Sequence, residues 1–236
     1  MPANIKANGI NHLALSTNSM KEQIEFFSDV LGMELIALYW MHGTEGCWHG
    51  FLRLNDSSAL AFVFNPENAG AQTEFGVTQP GHMTGPSAPG TMQHVALNVD
   101  GMEALLNMRD RIRSRGVNVT GPINHGFANS IYFQGPEDIS LEVSTYEDCD
   151  TPVGPKDWID PEVVEIAGIS EEELARYIKP ADYSGEAGAV AQPPFDPNGY
   201  NPKMPEEMLK GILAMPDEMV TQMLSEPTPP SQMQKT

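Results

Sequence analysis

The chain has 236 residues, of which 40% are hydrophobic, and a formal net charge of −19, which suits a globular protein with a sizeable core. This acidic balance argues against nucleic acid and anionic membranes as partners, because both bind basic surfaces. No stretch approaches the ~18 consecutive apolar residues of a membrane span, and the first residues lack the apolar core of a secretory signal. With only two cysteines, Cys47 and Cys149, the sequence predicts a cytoplasmic protein without disulfides.

The first predicted unit begins with a strand at residues 10–15, where apolar residues flank His12. Apolar residues then recur with a helical period over residues 19–30, and Gly32 is placed to end that helix. Three strand-like segments follow the helix, at residues 34–40, 48–54 and 59–64. The order of these elements predicts one β-α-β-β-β module over residues 8–66.

A second module is predicted after a linker at residues 67–90, because residues 92–97 (Met-Gln-His-Val-Ala-Leu) match residues 10–15 (Ile-Asn-His-Leu-Ala-Leu). A helical period follows again, and then three strand-like segments, at residues 117–120, 130–134 and 140–144. The sequence therefore predicts an α+β fold. Two βαβββ modules, at residues 8–66 and 91–146, are expected to form a curved mixed sheet around a metal cavity.

Residues 147–236 lie outside the repeat and predict a partly helical C-terminal extension. Ser170 is placed as the N-cap of one helix, and a second helix is predicted over residues 205–224 with an interruption near Pro216. Between them, the proline-rich segment 193–199 is incompatible with regular structure. Because this extension cannot form a core of its own, we expect it to wrap the modules or a second subunit.

Three side chains of the two modules are candidate metal ligands. His12 and His94 hold the same place in the two copies, so pairing of the modules about a pseudo-twofold axis would bring both imidazoles to one cavity. Glu142 lies in a predicted strand whose other face carries Leu141 and Val143, so its carboxylate should point into the cavity. A carboxylate buried there is unfavourable unless it is paired or bound to a metal.

Two imidazoles and one carboxylate form the facial triad of non-haem Fe(II) enzymes, which leaves coordination positions for a substrate and O₂. The first module offers no fourth ligand, since Ala61 aligns with Glu142. We therefore expect one divalent ion with three protein ligands and an open site. Fe(II) is the expected metal, and the same donors also accept Mn(II) or another divalent ion.

Residues 8–146 resemble the vicinal oxygen chelate superfamily, which includes glyoxalase I, bleomycin-resistance proteins, epimerases and extradiol ring-cleaving dioxygenases. The finer resemblance is to the type I extradiol enzymes, whose motif is a histidine, an aliphatic residue followed by tyrosine, a proline in a turn, and a glutamate. This chain carries that motif at His125, Ile131, Tyr132, Pro136 and Glu142. It departs from the motif at Gly135 and Asp138, which are turn positions.

By this resemblance Glu142 is a metal ligand, and His125 and Tyr132 are catalytic residues that contact the substrate or oxygen. The family often carries an acid-base histidine at the position that Ser58 occupies here. Ser58 and His49, on the neighbouring strand, are therefore candidates for the substrate pocket, and His49 is a candidate substitute for the missing histidine.

The resemblance implies an Fe(II)-dependent dioxygenase that cleaves a catecholic or related aromatic substrate with O₂. Two alternatives stay open. A lyase or isomerase of the glyoxalase or epimerase kind would usually require a fourth protein ligand, and a non-catalytic small-molecule binding protein of the same fold would not require the three ligands together. The expected partners are a small aromatic substrate and O₂, and we expect a homo-oligomer.

Overall fold

The computed structural model describes residues 6–181 and 190–233, and these fall into two compact units. The larger unit contains residues 7–40 and 46–181, and it holds both repeats and every predicted site residue. The smaller unit contains Lys6, residues 41–45 and residues 190–233 of the described chain. Among the described residues, no helix is long and apolar enough to cross a membrane.

The first module forms a four-stranded sheet with one helix. Its elements are β1 (His12–Thr17), α1 (Met20–Glu25), β2 (Glu34–Trp40), β3 (Trp48–Asn55) and β4 (Ser58–Phe64). The helix continues as a π-helical turn, Phe26–Val30, and ends before Gly32, which has a φ of +79° that glycine adopts readily. The strand order is β1-β4-β3-β2, with β1 parallel to β4.

The second module repeats this arrangement. Its elements are β5 (Val95–Asn98), α2 (Gly101–Ser114), β6 (Thr120–Asn124), β7 (Asn129–Gln134) and β8 (Ser140–Thr145). The strand order is β5-β8-β7-β6, with β5 parallel to β8. The predicted α+β fold of two βαβββ modules is confirmed, and each module forms a four-stranded mixed sheet of its own.

The sixth strand lies later in the chain than residues 117–120, where the sequence placed it. Val117 and Val119 pack against the core before the strand begins, and the strand itself runs from Thr120 to Asn124. It includes Pro122, which has no backbone N–H to donate. That proline is tolerated because β6 lies at the edge of the sheet, where no strand of the described residues pairs with its outer side.

The core lies between each sheet and its own helix. α1 packs against β3 and β4, and α2 packs against β7 and β8. Phe27, Leu105 and Ile112 from the helices are fully buried in one hydrophobic cluster with strand residues of both modules. Because side chains alternate along a strand, the sheet face opposite the helix is left for other residues. We call this surface the open face of each sheet, and it carries the polar side chains of the candidate site.

In the part of the C-terminal region that the structure describes, four α-helices follow the repeats, α3 (Pro161–Ile166), α4 (Glu171–Ile178), α5 (Glu206–Leu213) and α6 (Asp217–Leu224). The predicted N-cap is confirmed, since the Ser170 hydroxyl accepts a hydrogen bond from the Glu173 amide at 3.2 Å and the Glu173 carboxylate accepts one from the Ser170 amide. The predicted break near Pro216 separates α5 from α6. α3 was not predicted, although Asp160 followed by Pro161 is a helix-start signal.

The turn between β7 and β8 carries Glu137, whose carboxylate reaches the first module at the start of α1. It accepts hydrogen bonds from the Thr17 hydroxyl at 2.5 Å, the Asn18 amide at 2.7 Å and the Gln23 side-chain amide at 2.7 Å. A negative charge is favourable there because the first amides of a helix lack intrahelical partners. One carboxylate of the second module thus satisfies three donors of the first.

Substitution of Glu137 by alanine is expected to lower the free energy of unfolding by about 2–4 kcal/mol, because two part-buried donors and one exposed donor lose a charged acceptor. Chemical denaturation followed by circular dichroism would measure this change. Glu74→Ala is the matched control, since that exposed glutamate has no side-chain hydrogen bond or ion pair in the described chain. Equal stability of the two variants would contradict a role for Glu137 in joining the modules.

Candidate functional site

A cavity of about 510 Å³ lies on the open face of the second sheet. Its walls come from β5, β7 and β8, from the loop between β6 and β7, and from Tyr146, which follows β8. Four of the residues singled out from the sequence line it, His94, His125, Tyr132 and Glu142. The structure therefore gathers most of the predicted site within one module.

Glu142 reaches this cavity because of its position in β8. Leu141 and Val143, on either side of it, are each 1% exposed and face the hydrophobic core. Alternation turns Glu142 to the open face, where it is 7% exposed. Its carboxylate oxygen Oε2 lies 3.0 Å from Nε2 of His94, the residue that immediately precedes β5. Two potential metal donors, one nitrogen and one oxygen, thus converge in the cavity.

Both repeat histidines are oriented by the amide side chain that precedes them. Nδ1 of His12 lies 2.9 Å from the Asn11 side-chain oxygen, and Nδ1 of His94 contacts the Gln93 side-chain oxygen. An Nδ1–H that donates to an oxygen leaves Nε2 as a lone-pair donor, which is the usual arrangement around metal-binding histidines. Sequence reasoning missed Asn11 and Gln93, although they occupy the polar position before each histidine in the repeat.

His125 and Tyr132 form a second pair in the same cavity. The Tyr132 hydroxyl lies 2.8 Å from Nε2 of His125, and their rings meet edge to face. Burial raises the pKa of Tyr132 above its usual value, the neighbouring Glu142 carboxylate raises it further, and a hydrogen bond with Ser130 opposes both effects. The hydroxyl therefore keeps its proton at neutral pH and is available as a donor.

His12 and His49 lie on the open face of the first sheet, in an aromatic cluster. The Phe51 ring is centred 5.5 Å from both imidazoles, and Tyr39 stacks on Phe51 at 6.1 Å. Both ring nitrogens of His49 are buried without a hydrogen-bond partner in the described chain. Burial lowers the pKa of His49, and the charge of His12 lowers it further, so this imidazole is biased toward its neutral form.

Within one chain, the structure does not bring His12 to the His94–Glu142 pair. Among residues 6–181 and 190–233, no group of three or more His, Cys, Asp or Glu side chains is placed to hold a metal ion. In the strand register Ala14 pairs with Ala61 just as Ala96 pairs with Glu142, so an alanine holds in the first module the position that Glu142 holds in the second. The donors present suit a divalent ion such as Fe(II) or Mn(II), and the three-ligand assignment stays a prediction.

Ser58, the other pocket candidate, lies elsewhere. It begins β4 and lines a separate cavity of about 610 Å³ together with Leu54, Asn55 and residues 95–100. Alternation along β4 places it on the opposite face from Ala59, which pairs with His12. In this arrangement Ser58 does not face the His94–Glu142 pair, whereas His49 shares the open face with His12.

The protein-family model of the glyoxalase/bleomycin resistance protein/dioxygenase superfamily matches residues 9–143 of the chain. No curated protein matches the chain. Among solved structures, the chain is similar to a glyoxylase/bleomycin resistance protein/dioxygenase domain from Frankia sp. EAN1pec, with 15% identity, a TM-score of 0.46, and coverage of 60% of this chain and 100% of that one.

Two further structures have a similar fold. TnmS3, an antibiotic binding protein from Streptomyces sp. CB03234, is 16% identical, with a TM-score of 0.43 and coverage of 61% of this chain and 99% of that one. FosX, a fosfomycin resistance protein from Listeria monocytogenes crystallised with Mn(II) and sulfate, is 15% identical, with a TM-score of 0.40 and coverage of 59% and 93%. At these identities the likeness concerns the fold alone.

Proposed function

Since the chain belongs to the glyoxalase/bleomycin resistance protein/dioxygenase superfamily, we propose that it is a metal-dependent ring-cleaving dioxygenase of the extradiol type. The observation that carries this proposal is the convergence of His94, His125, Tyr132 and Glu142 on one cavity. The metal donors and the acid-base pair of the extradiol motif are separate in sequence, and they occupy the same wall in the fold. Its substrate would be an aromatic ring with two adjacent oxygens, and its metal Fe(II), with Mn(II) as the substitute.

We infer that the third ligand, His12, is supplied by a second copy of the chain. β1 and β5 are each the edge strand of their sheet, and neither pairs with another strand at that edge within the described residues. Each carries an exposed histidine at its start. Pairing of β1 from one copy with β5 of the other would complete the hydrogen bonds of both edges and would bring His12 toward the His94–Glu142 pair. The predicted homo-oligomer would thus build the site.

His94, Glu142 and His12 of a second copy would hold a divalent ion, which would supply the Lewis-acid chemistry that favours ionisation of a substrate hydroxyl. The side chains around the ion would then accept the proton that the substrate hydroxyl loses. Tyr132, protonated at neutral pH, can donate to His125 and accept from a substrate hydroxyl through the same oxygen. His125 is exposed at the rim of the cavity, so a proton that reaches its imidazole can pass to solvent. The pair thus connects the buried reaction centre with bulk water.

The first test is oxygen consumption by the full-length protein, purified without oxygen and loaded with Fe(II). Uptake of one O₂ per catechol, together with a ring-opened product, is the expected result. Metal-loaded protein in which His125 is replaced by glutamine should turn over about 10²- to 10⁴-fold more slowly, the range typical of a lost acid-base group. His82→Gln is the control, since the side chain of that exposed loop histidine bonds only to Thr84 in the described chain.

The same experiment separates the alternatives. Metal binding without oxygen uptake would contradict the dioxygenase proposal and would favour an isomerase or lyase of the glyoxalase or epimerase kind. Ligand binding without any metal would favour a binding protein of the same fold. Full activity of His125→Gln would refute the acid-base role assigned to the His125–Tyr132 pair.

A further inference from the structure

The loop that carries His125 is held from outside by residues beyond the second module. Within this loop the His125 amide donates to the Ala128 carbonyl at 2.8 Å, and Gly126 has a φ of +85°. The Thr151 amide donates to the Gly126 carbonyl at 3.3 Å. The indole of Trp158 covers the same glycine so closely that a Cβ at Gly126 would lie 2.6 Å from its ring. The extension after β8 therefore fixes the position of this loop.

Phe127, in the middle of the loop, forms part of the cavity wall. Trp158 meets its ring edge to face, with the ring centroids 4.8 Å apart, and Tyr146 packs near it at 6.2 Å. Trp158 does not line the cavity, whereas Phe127 and Tyr146 do. The wall beside the proposed reaction centre is thus aromatic, and its central ring is supported by a tryptophan behind it.

The charge of the cavity restricts the ligands that fit this wall. None of the residues that the structure places around the cavity is a lysine or an arginine, and Glu142 contributes a carboxylate. Apart from the proposed metal and the imidazoles of His94 and His125, the walls that one chain supplies offer no cationic partner. A ligand carboxylate that points away from the metal would therefore be desolvated without compensation. A flat apolar ring, in contrast, can pack on Phe127 in the offset or edge-to-face geometry that aromatic pairs prefer.

We propose that Phe127 is the ring-binding residue of this cavity, that Trp158 is the positioning residue that holds it there, and that the ligand is an uncharged aromatic ring. This inference rests on the proposed function, in which the substrate is an aromatic ring with two adjacent oxygens. It adds that the ring is uncharged and gives the C-terminal extension a role. Residues outside the second module would then help to determine which substrates the protein accepts.

The test compares binding of 4-methylcatechol and 3,4-dihydroxybenzoate, which differ by a methyl or a carboxylate at one ring position. Calorimetry without oxygen, on metal-loaded and on metal-free full-length protein, gives the dissociation constant of each catechol in each state. We expect 4-methylcatechol to bind at least about tenfold more tightly, and Phe127→Leu to weaken its binding about tenfold, the scale of one lost ring contact and its burial. Phe75→Leu, at a residue 58% exposed and outside the cavity, should leave both constants unchanged.

Trp158→Leu should weaken binding of 4-methylcatechol as Phe127→Leu does, and Trp158→Phe should restore it, because a flat ring behind Phe127 is what the proposal requires. Metal affinity should stay unchanged in all three variants, which a general loss of structure would not allow. Equal binding of the two catechols, or unchanged binding in Phe127→Leu, would overturn the proposal even in an active dioxygenase. Ring binding that depends on Phe127 without oxygen uptake would uphold it and remove the dioxygenase function.

Discussion

Substitution of Glu142 by glutamine is expected to abolish stable metal binding and, with it, catalytic activity. The change keeps the size of the side chain and removes the charge, so the strand should fold as before. Among residues 6–181 and 190–233, the Glu142 carboxylate is the anionic donor that lies beside Nε2 of His94. A residue that merely supports a metal ligand commonly contributes 10- to 100-fold to affinity, so loss of a ligand should exceed roughly 100-fold. Metal titration and elemental analysis of the purified variant would measure the effect.

A thermal measurement provides an independent readout of the same change. A metal present at about 100 times its dissociation constant stabilises the folded protein by about 2.7 kcal/mol, and this stabilisation should disappear in Glu142→Gln. Glu74→Gln is the matched control, with the same chemical change at an exposed loop position. A Glu142→Gln protein that retains both its metal content and its metal-induced shift in Tm would refute the assignment of Glu142 as a ligand.

The second large effect is expected from mixing two inactive variants. If His12 is supplied by the partner, a heterodimer of a His12→Ala chain and a Glu142→Gln chain contains one intact site. In that site the wild-type His12 of one chain meets the wild-type His94 and Glu142 of the other. Heterodimers isolated by two different affinity tags should therefore regain about half of the wild-type metal content and activity, since two-fold assemblies of this kind hold two equivalent sites.

The reciprocal pair is the control, because it carries the same two substitutions in a different distribution. A wild-type chain paired with a chain that carries both His12→Ala and Glu142→Gln has no intact shared site, so this heterodimer should be inactive. If all three ligands came from one chain, the result would be reversed. The heterodimer of the two single variants would then be inactive, and the heterodimer with one wild-type chain would keep half of the wild-type activity.

Much of the fold could be predicted because the chain repeats itself. The matching residues around His12 and His94 identified the two modules, and alternation around Glu142 identified the face on which it lies. Local signals were also sufficient for the N-cap at Ser170 and the break at Pro216. At Glu142, Ser170 and Pro216 the pattern that determines the structure lies within a few residues of sequence, whereas the repeat was found by comparing two distant segments.

Features that depend on tertiary contacts were predicted less well. The sixth strand was placed too early because Pro122 reads as a strand breaker unless the strand is known to be an edge. Trp158 lies outside the second module and contacts the His125 loop within it. No local sequence pattern predicts this contact. For the same reason the repeat predicted that His12 and His94 are equivalent, and it could not predict whether they meet within one chain or between two.

The registers of the two parallel strand pairs show how the two halves differ at the candidate site. Ala61 and Glu142 occupy corresponding positions in the two halves, opposite Ala14 and Ala96, yet the alanine is completely buried and the glutamate opens to the cavity. The two halves therefore offer unequal sets of potential donors, an imidazole from the first and an imidazole with a carboxylate from the second. A chain assembled from two copies of its second half would offer two carboxylates where the natural one offers one, and a metal bound there would keep one coordination position fewer for substrate and O₂.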